Sequence, residues 1–342
     1  MAYPSAAEKP SSGRRRSIEF AVRIGITAAL LALLLRKTDL TEVISAVAKI
    51  GVDVFLLATG IFVLLALLVA VRWRLIILSL GHSLSFYESW RLVMIGLFFN
   101  QCLPSGIGGD VARIVLAARL GVPRGPAVVS VVVDRLFALA AVGLFMLAGL
   151  WCLPWGQPLL VDAVLSSFVA AGFVILLGLD RGLALVERYP AIVQSSPWRK
   201  LQPLIEFGRM VSRTFQLVLH RGGPARTIIW TSLINQLALG GIVFLIGARL
   251  DPGLRLIDAL LLFPPAMLLS MLPISLGGWG IREGSMVLFL GAAGVSSTAA
   301  LAISLSFGIA MILAGAIGGI MWLVQPRAST HPPAMAAVSS QQ

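Results

Sequence analysis

The chain has 342 residues, of which 58% are hydrophobic and 12% charged, with a formal net charge of +12 and a mean hydropathy of +0.93. A water-soluble fold of this length cannot bury that much apolar sequence, so the chain reads as an integral membrane protein. Its Lys and Arg residues are scattered between apolar runs, which argues against a nucleic-acid partner. Cys102 and Cys152 lack CxxC spacing, and His82, His220 and His331 stand apart from paired carboxylates, so neither a metal nor a cofactor is expected.

In chain order, residues 1–17 form a polar, basic tail that is expected to be disordered. The run 19–35 follows this basic head like a signal peptide, yet no small-x-small cleavage pattern comes after Leu35, so an uncleaved anchor helix is expected. Runs long enough for a hydrocarbon core of about 30 Å fall at 19–35, 53–71, 126–150, 159–179, 227–248 and 299–324, giving six full spans. The end of the chain, "PRASTHPPAMAAVSSQQ" at 326–342, is small, polar and Pro-rich, and is also expected to be disordered.

Two more apolar regions, 91–118 and 256–290, are each interrupted by Pro and Gly. Leu103-Pro104-Ser105-Gly106-Ile107-Gly108-Gly109-Asp110-Val111-Ala112-Arg113 and Leu272-Pro273-Ile274-Ser275-Leu276-Gly277-Gly278-Trp279-Gly280-Ile281-Arg282 share the pattern LPxxxGGxxxR. The same offset pairs Leu84 with Gly253 and Pro126 with Val295, which is the mark of an internal duplication.

Orientation follows from the basic residues. With Arg14, Arg15 and Arg16 in the cytoplasm, the loops at Arg72 to Arg91, Arg119 to Arg124 and 180–226 all lie inside only if the first broken region enters and returns on one side. The connections Trp151 to Pro158 and Gly291 to Thr298 carry no Lys or Arg and fall outside. The expected fold is therefore an all-α membrane protein with about six full transmembrane helices and two re-entrant broken hairpins. Its halves, 18–151 and 158–325, form an inverted-topology repeat of the kind that places a substrate near the midplane.

The breaks carry the candidate site. Non-helical backbone at membrane depth survives only when buried in protein or lining a polar cavity, so the two breaks should face one another across one. Pro104 and Pro273 end the inbound helices, Gly108, Gly109, Gly277 and Gly278 allow close backbone approach, and outbound helices beginning near Asp110 and Trp279 would point free N–H groups inward. That setting favours an anionic group such as a lipid phosphate. Arg113, Asp134, Arg135, Arg282 and Glu283 stand in apolar surroundings where an ionised side chain is costly, so they should face the interior in pairs, with Arg113 and Arg282 lining one cavity. The alternative is that the Asp134–Arg113 and Glu283–Arg pairs are purely structural. Neighbours on a helix diverge by about 100°, so Asp134 and Arg135 are expected to contact different elements. Gly280-x-x-x-Gly284 and Gly315-x-x-x-Gly319 read as helix-packing pairs. No GxxxxGK[ST] accompanies Gly106 to Gly109, so a nucleotide site is not expected.

The stretches "NQCLPSGIGGDVARIV" and "LPISLGGWGIREGSMV" resemble the two signature regions of the lysylphosphatidylglycerol synthase transmembrane-region family, also called flippase-like, over about residues 18–325. The resemblance implies movement of a lipid between leaflets of a bacterial-type inner membrane, and the basic residues Arg14, Arg15 and Arg16 lead one to expect a cytoplasmic N-terminus. It also implies motif roles for Asn100, Asp110, Arg113 and Arg135, and for Pro273, Gly277, Gly278, Arg282 and Glu283. Asp134 stands where the family leads one to expect Glu, and Ser105 where Gly is common. No aminoacyl-transferring domain is expected after Gln325, which favours a lipid transporter over an enzyme. The expected partners are membrane lipids, with a pathway enzyme or a second copy of the chain as further candidates. The other readings are an enzyme or accessory subunit of isoprenoid-lipid or hopanoid metabolism, and a lipid-binding protein that transports nothing.

Overall fold

A computed structural model describes residues 25, 27, 39–103, 107–152, 166–167, 169–174, 177–178, 181–182, 196–271 and 278–324. Both expected tails, most of the spans at 19–35 and 159–179, and the positions Pro104, Ser105, Pro273 and Gly277 lie outside the described residues. Among those described, all regular structure is helical: α1 (Leu40–Lys49), α2 (Val52–Ser79), α3 (Phe86–Cys102), α4 (Gly108–Arg119), α5 (Arg124–Cys152), α6 (Ser196–Leu219), α7 (Gly223–Gly247), α8 (Leu256–Ser270), α9 (Ile281–Ala292) and α10 (Ser297–Leu323).

Four of these helices, α2, α5, α7 and α10, are long and apolar enough to cross a membrane. At a rise of 1.5 Å per residue each covers roughly 37 to 44 Å, which exceeds a hydrocarbon core of about 30 Å and leaves room for tilt. They coincide with four of the expected spans. The starts are written locally: Ser85 Oγ accepts the Glu88 N–H at 3.1 Å while Glu88 returns an acceptor to the Ser85 N–H at 2.8 Å, and Ser296 Oγ accepts the Ala299 N–H at 3.2 Å.

The offset that lays Leu103 on Leu272 also carries α2 onto α7, α3 onto α8, α4 onto α9 and α5 onto α10, and it places α1 within the end of α6. Packing follows the same exchange. Helix α3 rests on α10 and α8 on α5; α2 meets α10 and α7 meets α5; α1 lies on α10 and α6 on α5; α2 and α7 pack on each other. Phe307 of α10 joins the set, with its ring centroid 5.1 Å from Phe62 of α2 and 5.0 Å from Phe263 of α8.

Close backbone approach explains one of these contacts in detail. A Cβ at Gly318 of α10 would collide with the Met94 carbonyl oxygen of α3, and at the matching position of α5 a Cβ on Gly149 would lie 3.2 Å from the Leu261 carbonyl oxygen of α8. Small residues let helices touch along their backbones where lipid supplies no hydrophobic drive between them. Gly315 and Gly319 flank the α3 contact as expected. The Gly280 and Gly284 pair does not pack: a Cβ at Gly284 would meet open space, and Gly280 is a turn residue with φ 84°.

Two loop boundaries also change. Arg72 belongs not to a loop but to α2, which runs on to Ser79 and buries it, because Asp134 and Ser232 receive its guanidinium. The expected loop 180–226 holds α6, anchored by Phe215 stacked on Phe137 of α5 at 4.6 Å and by buried Val211 and Val218. Its apolar residues recur at helical spacing despite the density of charge, and Pro203 falls within its first turns.

Replacing Gly318 with Val should lower the thermal unfolding midpoint in detergent by an amount equivalent to about 1–3 kcal/mol. Gly241→Ala, where an added Cβ meets nothing within 4 Å, should leave the midpoint unchanged or raise it. Equal midpoints for Gly318→Val and the parent would disprove the α3–α10 backbone contact.

Candidate functional site

The first broken region is a hairpin whose arms are α3 and α4. Asn100, in the last turn of α3, accepts the Gly109 N–H through Oδ1 at 2.8 Å. A Cβ on Gly109 would collide with the Gly96 carbonyl and the Asn100 side chain, so only glycine lets α4 fold back this closely. Gly108 is buried at the first position of α4. Asp110, next in the chain, and Arg113, one turn further on, share the face directed at α5.

Five charged side chains meet there. Asp134 of α5 accepts from Arg72 Nε of α2 at 2.6 Å and from Arg113 Nη1 at 3.1 Å. Arg135 grips Asp110 with Nε and Nη2, both at 2.9 Å, and Arg113 lies 3.8 Å from the same carboxylate. Arg72 also donates through Nη1 to Ser232 Oγ of α7 at 3.1 Å. The Arg113 guanidinium lies over the Trp73 ring, 4.2 Å from its centroid, and Trp73 Nε1 donates to Ser130 Oγ of α5 at 3.0 Å. The side chains of Arg72, Asp134 and Arg113 are 5%, 2% and 6% exposed, so each charge depends on its partners for the solvation that water would supply.

The cluster forms one wall of a cavity of about 330 Å³. Asn100, Asp110, Arg113, Asp134 and Arg135 from the first half line it together with Arg72. The second half contributes Ser232, Asn235 and Gln236 of α7, and Phe62, Met267 and Phe307 complete an apolar side. The site therefore sits where the two halves meet.

In the second half the same motif closes on itself. Arg282 holds Glu283 Oε1 through Nη2 at 2.6 Å and Nε at 3.0 Å, and Glu283 Oε2 accepts the Gly280 N–H at 2.6 Å. Ser304 of α10 lies 3.3 Å from both side chains, the Trp279 ring backs the guanidinium at 4.5 Å, and Gly308 leaves room for it. Gly278 turns the chain with φ 80° just before Trp279. Arg282 and Glu283 are 3% and 0% exposed and are not among the described residues that line the cavity. The expectation that Arg113 and Arg282 share one cavity is thus corrected: the Arg282 charge is already neutralised inside the bundle by the adjacent carboxylate.

Two further expectations change. Asp134 and Arg135 both reach α4, because Asp110 and Arg113 lie one turn apart and bracket the crossing with α5. The inward N–H groups are not all free for a ligand, since Asn100 takes that of Gly109 and Glu283 that of Gly280. Attraction for an anion therefore rests on arginine. Arg72, Trp73 and the α7 residues Ser232, Asn235 and Gln236 lie outside the motifs from which the site was expected. Their signals were present: an Arg within an apolar run that continues to Leu80, and polar residues at i, i+3 and i+4 within an otherwise apolar span.

Asp134→Asn should destabilise the protein by about 3–5 kcal/mol, because two buried guanidinium groups lose their shared carboxylate. Adding Arg72→Gln should recover part of that loss by removing one unpaired charge. Thermal unfolding of the two variants checks both statements, and a single variant as stable as the parent would show that the carboxylate is not a structural link.

The chain has relatives among known membrane proteins. The chain is 25% identical over 302 residues to a UPF0104 membrane protein of Methanothermobacter thermautotrophicus, spanning 79% of this chain and 83% of that one. It is 29% identical over 154 residues to a UPF0104 membrane protein of Methanocaldococcus jannaschii, spanning 42% of this chain and 45% of the relative's length. The sequence profile of the lysylphosphatidylglycerol synthase TM region matches residues 20–319, a stretch that holds both broken hairpins and the whole ion cluster, and the chain belongs to that family.

Proposed function

We propose that this protein carries a lipid between leaflets, taking an anionic headgroup into the cavity while the chains stay in the bilayer. One observation carries the reading: a cluster of three arginines and two aspartates, buried except for the partly exposed Arg135, opens on a cavity whose far side is apolar and whose walls come from both halves of the chain. A volume of about 330 Å³ accommodates a headgroup and excludes a whole lipid. Arginine suits an anionic headgroup because its planar fork binds oxyanions bidentately and keeps its charge at any physiological pH.

The transport reading uses the repeat. Halves at 18–151 and 158–325 of opposite orientation, each with a re-entrant hairpin, are related by an axis in the membrane plane, and rocking one against the other would expose the shared cavity to each side in turn. The matched helix boundaries and the exchanged packing pairs support this, as does the concentration of Lys and Arg on connections assigned to the cytoplasm. On this orientation the N-terminus is cytoplasmic and the chain sits in a plasma-type membrane.

Single cysteines in place of Arg119 and Ser297, introduced after replacing Cys102 and Cys152, should label from opposite faces of sealed vesicles. Labelling from one face would rule out the inverted arrangement. In proteoliposomes carrying a fluorescent anionic phospholipid, the parent protein should make inner-leaflet label accessible to an external quencher, and Arg113→Gln should slow this by roughly tenfold or more, the cost of losing a charge-assisted contact. A parent no faster than protein-free liposomes would end the transport reading.

A further inference from the structure

We propose that the groove where α4 turns into α5 holds a resident anionic phospholipid, its phosphate at Arg119 and Arg124 and an acyl chain along Ile107, Val111 and Val115. The groove shares no lining residue with the charged cavity, and its occupant needs no movement between leaflets.

The first argument is charge. The groove has a volume of about 600 Å³, within the range of ligand sites. Ile114, Val115, Ala118, Val122 and Val128 give it an apolar lining; Arg119 and Arg124 are its charged residues, and no carboxylate lines it. Both arginines are exposed, and among the described residues neither has a hydrogen-bond or ion-pair partner. By contrast Arg72, Arg135, Arg249, Arg255 and Arg282 each hold a carboxylate. Arg119 suits the C-terminal end of α4, but Arg124 opens α5, where the helix dipole disfavours a cation. Two arginines without counter-charge beside an apolar groove complement an anionic amphiphile. A zwitterionic headgroup would bring a cation of its own to them.

The second argument is length. Ile107, Val111 and Val115 are 60%, 50% and 45% exposed and follow one another on successive turns, so α4 carries an apolar stripe that runs into the groove at Val115. From Ile107 to Arg119 the helix rises roughly 18 Å at 1.5 Å per residue, close to half of a hydrocarbon core of about 30 Å. An apolar stripe of leaflet depth that ends in two cations fits a lipid chain below its headgroup, whereas a soluble anion would leave the stripe unused. The repeat supplies a contrast. Its offset puts Leu288 at the place of Arg119 and Ala293 at that of Arg124, so the turn between α9 and α10 has no charge at either place. Because the walls of the groove come from α4 and α5, its occupant ties the end of the arm to the helix that carries Asp134.

The test is fluorescence quenching in phosphatidylcholine vesicles that contain either dibrominated phosphatidylglycerol or dibrominated phosphatidylcholine as a minor lipid. After Cys102→Ser and Cys152→Ser, a bimane label is attached at Val111→Cys, which leaves both arginines and the groove lining in place. The brominated anionic lipid should quench as if bound roughly fivefold or more tightly than the zwitterionic one, the factor for the attraction of one arginine. Arg119→Gln combined with Arg124→Gln should remove this preference, and Arg119→Lys combined with Arg124→Lys should keep it. A label at Leu288→Cys, where the exposed side chain occupies the matching place, should be quenched equally by both lipids. Equal quenching at Val111 would overturn the site, as it would if a second copy of the chain covered the groove and kept both lipids out. A preference that survives the double glutamine change would remove the arginines from the site. The same preference at Leu288 would reduce it to the net charge of the protein, and reversal by millimolar inorganic phosphate would show a free-anion site in place of a lipid site. The comparison of the two labelled positions needs no arginine variant to fold.

Discussion

The carboxylate of Asp134 is the point on which the first half depends. It lies within α5, is 2% exposed, and accepts from Arg72 of α2 and Arg113 of α4. Three helices that are far apart in sequence are thereby held by one group, and Arg72 extends the link to α7 through Ser232. In an apolar bundle such a network has few alternatives, since each member left alone would be a charge without solvent. It therefore specifies where the arm α4 rests, a placement that the apolar surfaces around it would not define.

That arm needs a second device. Gly109 and Gly96 remove the side chains that would hold α3 and α4 apart, and Asn100 takes the N–H freed where the helix breaks. An N–H of the first helical turn, which has no partner within its own helix, is thus satisfied by a side chain of the preceding helix. At the start of α9 Glu283 serves the same purpose locally, bonding the Gly280 N–H of its own N-cap. The two hairpins share one plan but solve their polar problem with different residues.

This difference makes the two halves chemically unequal. Glu283 follows Arg282 directly and neutralises it within α9, with Ser304 standing at the position that corresponds to Arg135. The second-half cluster is self-contained and buried, whereas the first-half cluster spreads over α2, α4 and α5 and retains a positive charge toward the cavity. The repeated helices thus carry unequal charge: ionic contacts that link α2, α4 and α5 in one copy, and a pair closed within α9 in the other.

The amino-acid sequence by itself determined the membrane class, four spans that coincide with helices, the duplicated LPxxxGGxxxR hairpins and the identity of most buried charges. These follow from local physics: apolar length against bilayer thickness, Pro and Gly as helix breakers, and the cost of ionised groups in apolar runs. The Asp134–Arg113 pair was legible as well, whereas the links of Asp134 to Arg72 and of Asp110 to Arg135 were decided by the tertiary structure. Arg72 looked like the edge of a loop because a basic residue at the end of an apolar run normally faces water; Asp134, 62 positions away, is what keeps it inside. Likewise Arg113 and Arg282 occupy matching places in the repeat, and nothing in the motif distinguishes an arginine beside its own helix's carboxylate from one that must borrow a carboxylate from α5. Gln236 has no motif at all. It comes to line the cavity only through the packing of α7 on α2 and α5, because a side chain's surroundings are a property of space and not of neighbouring residues.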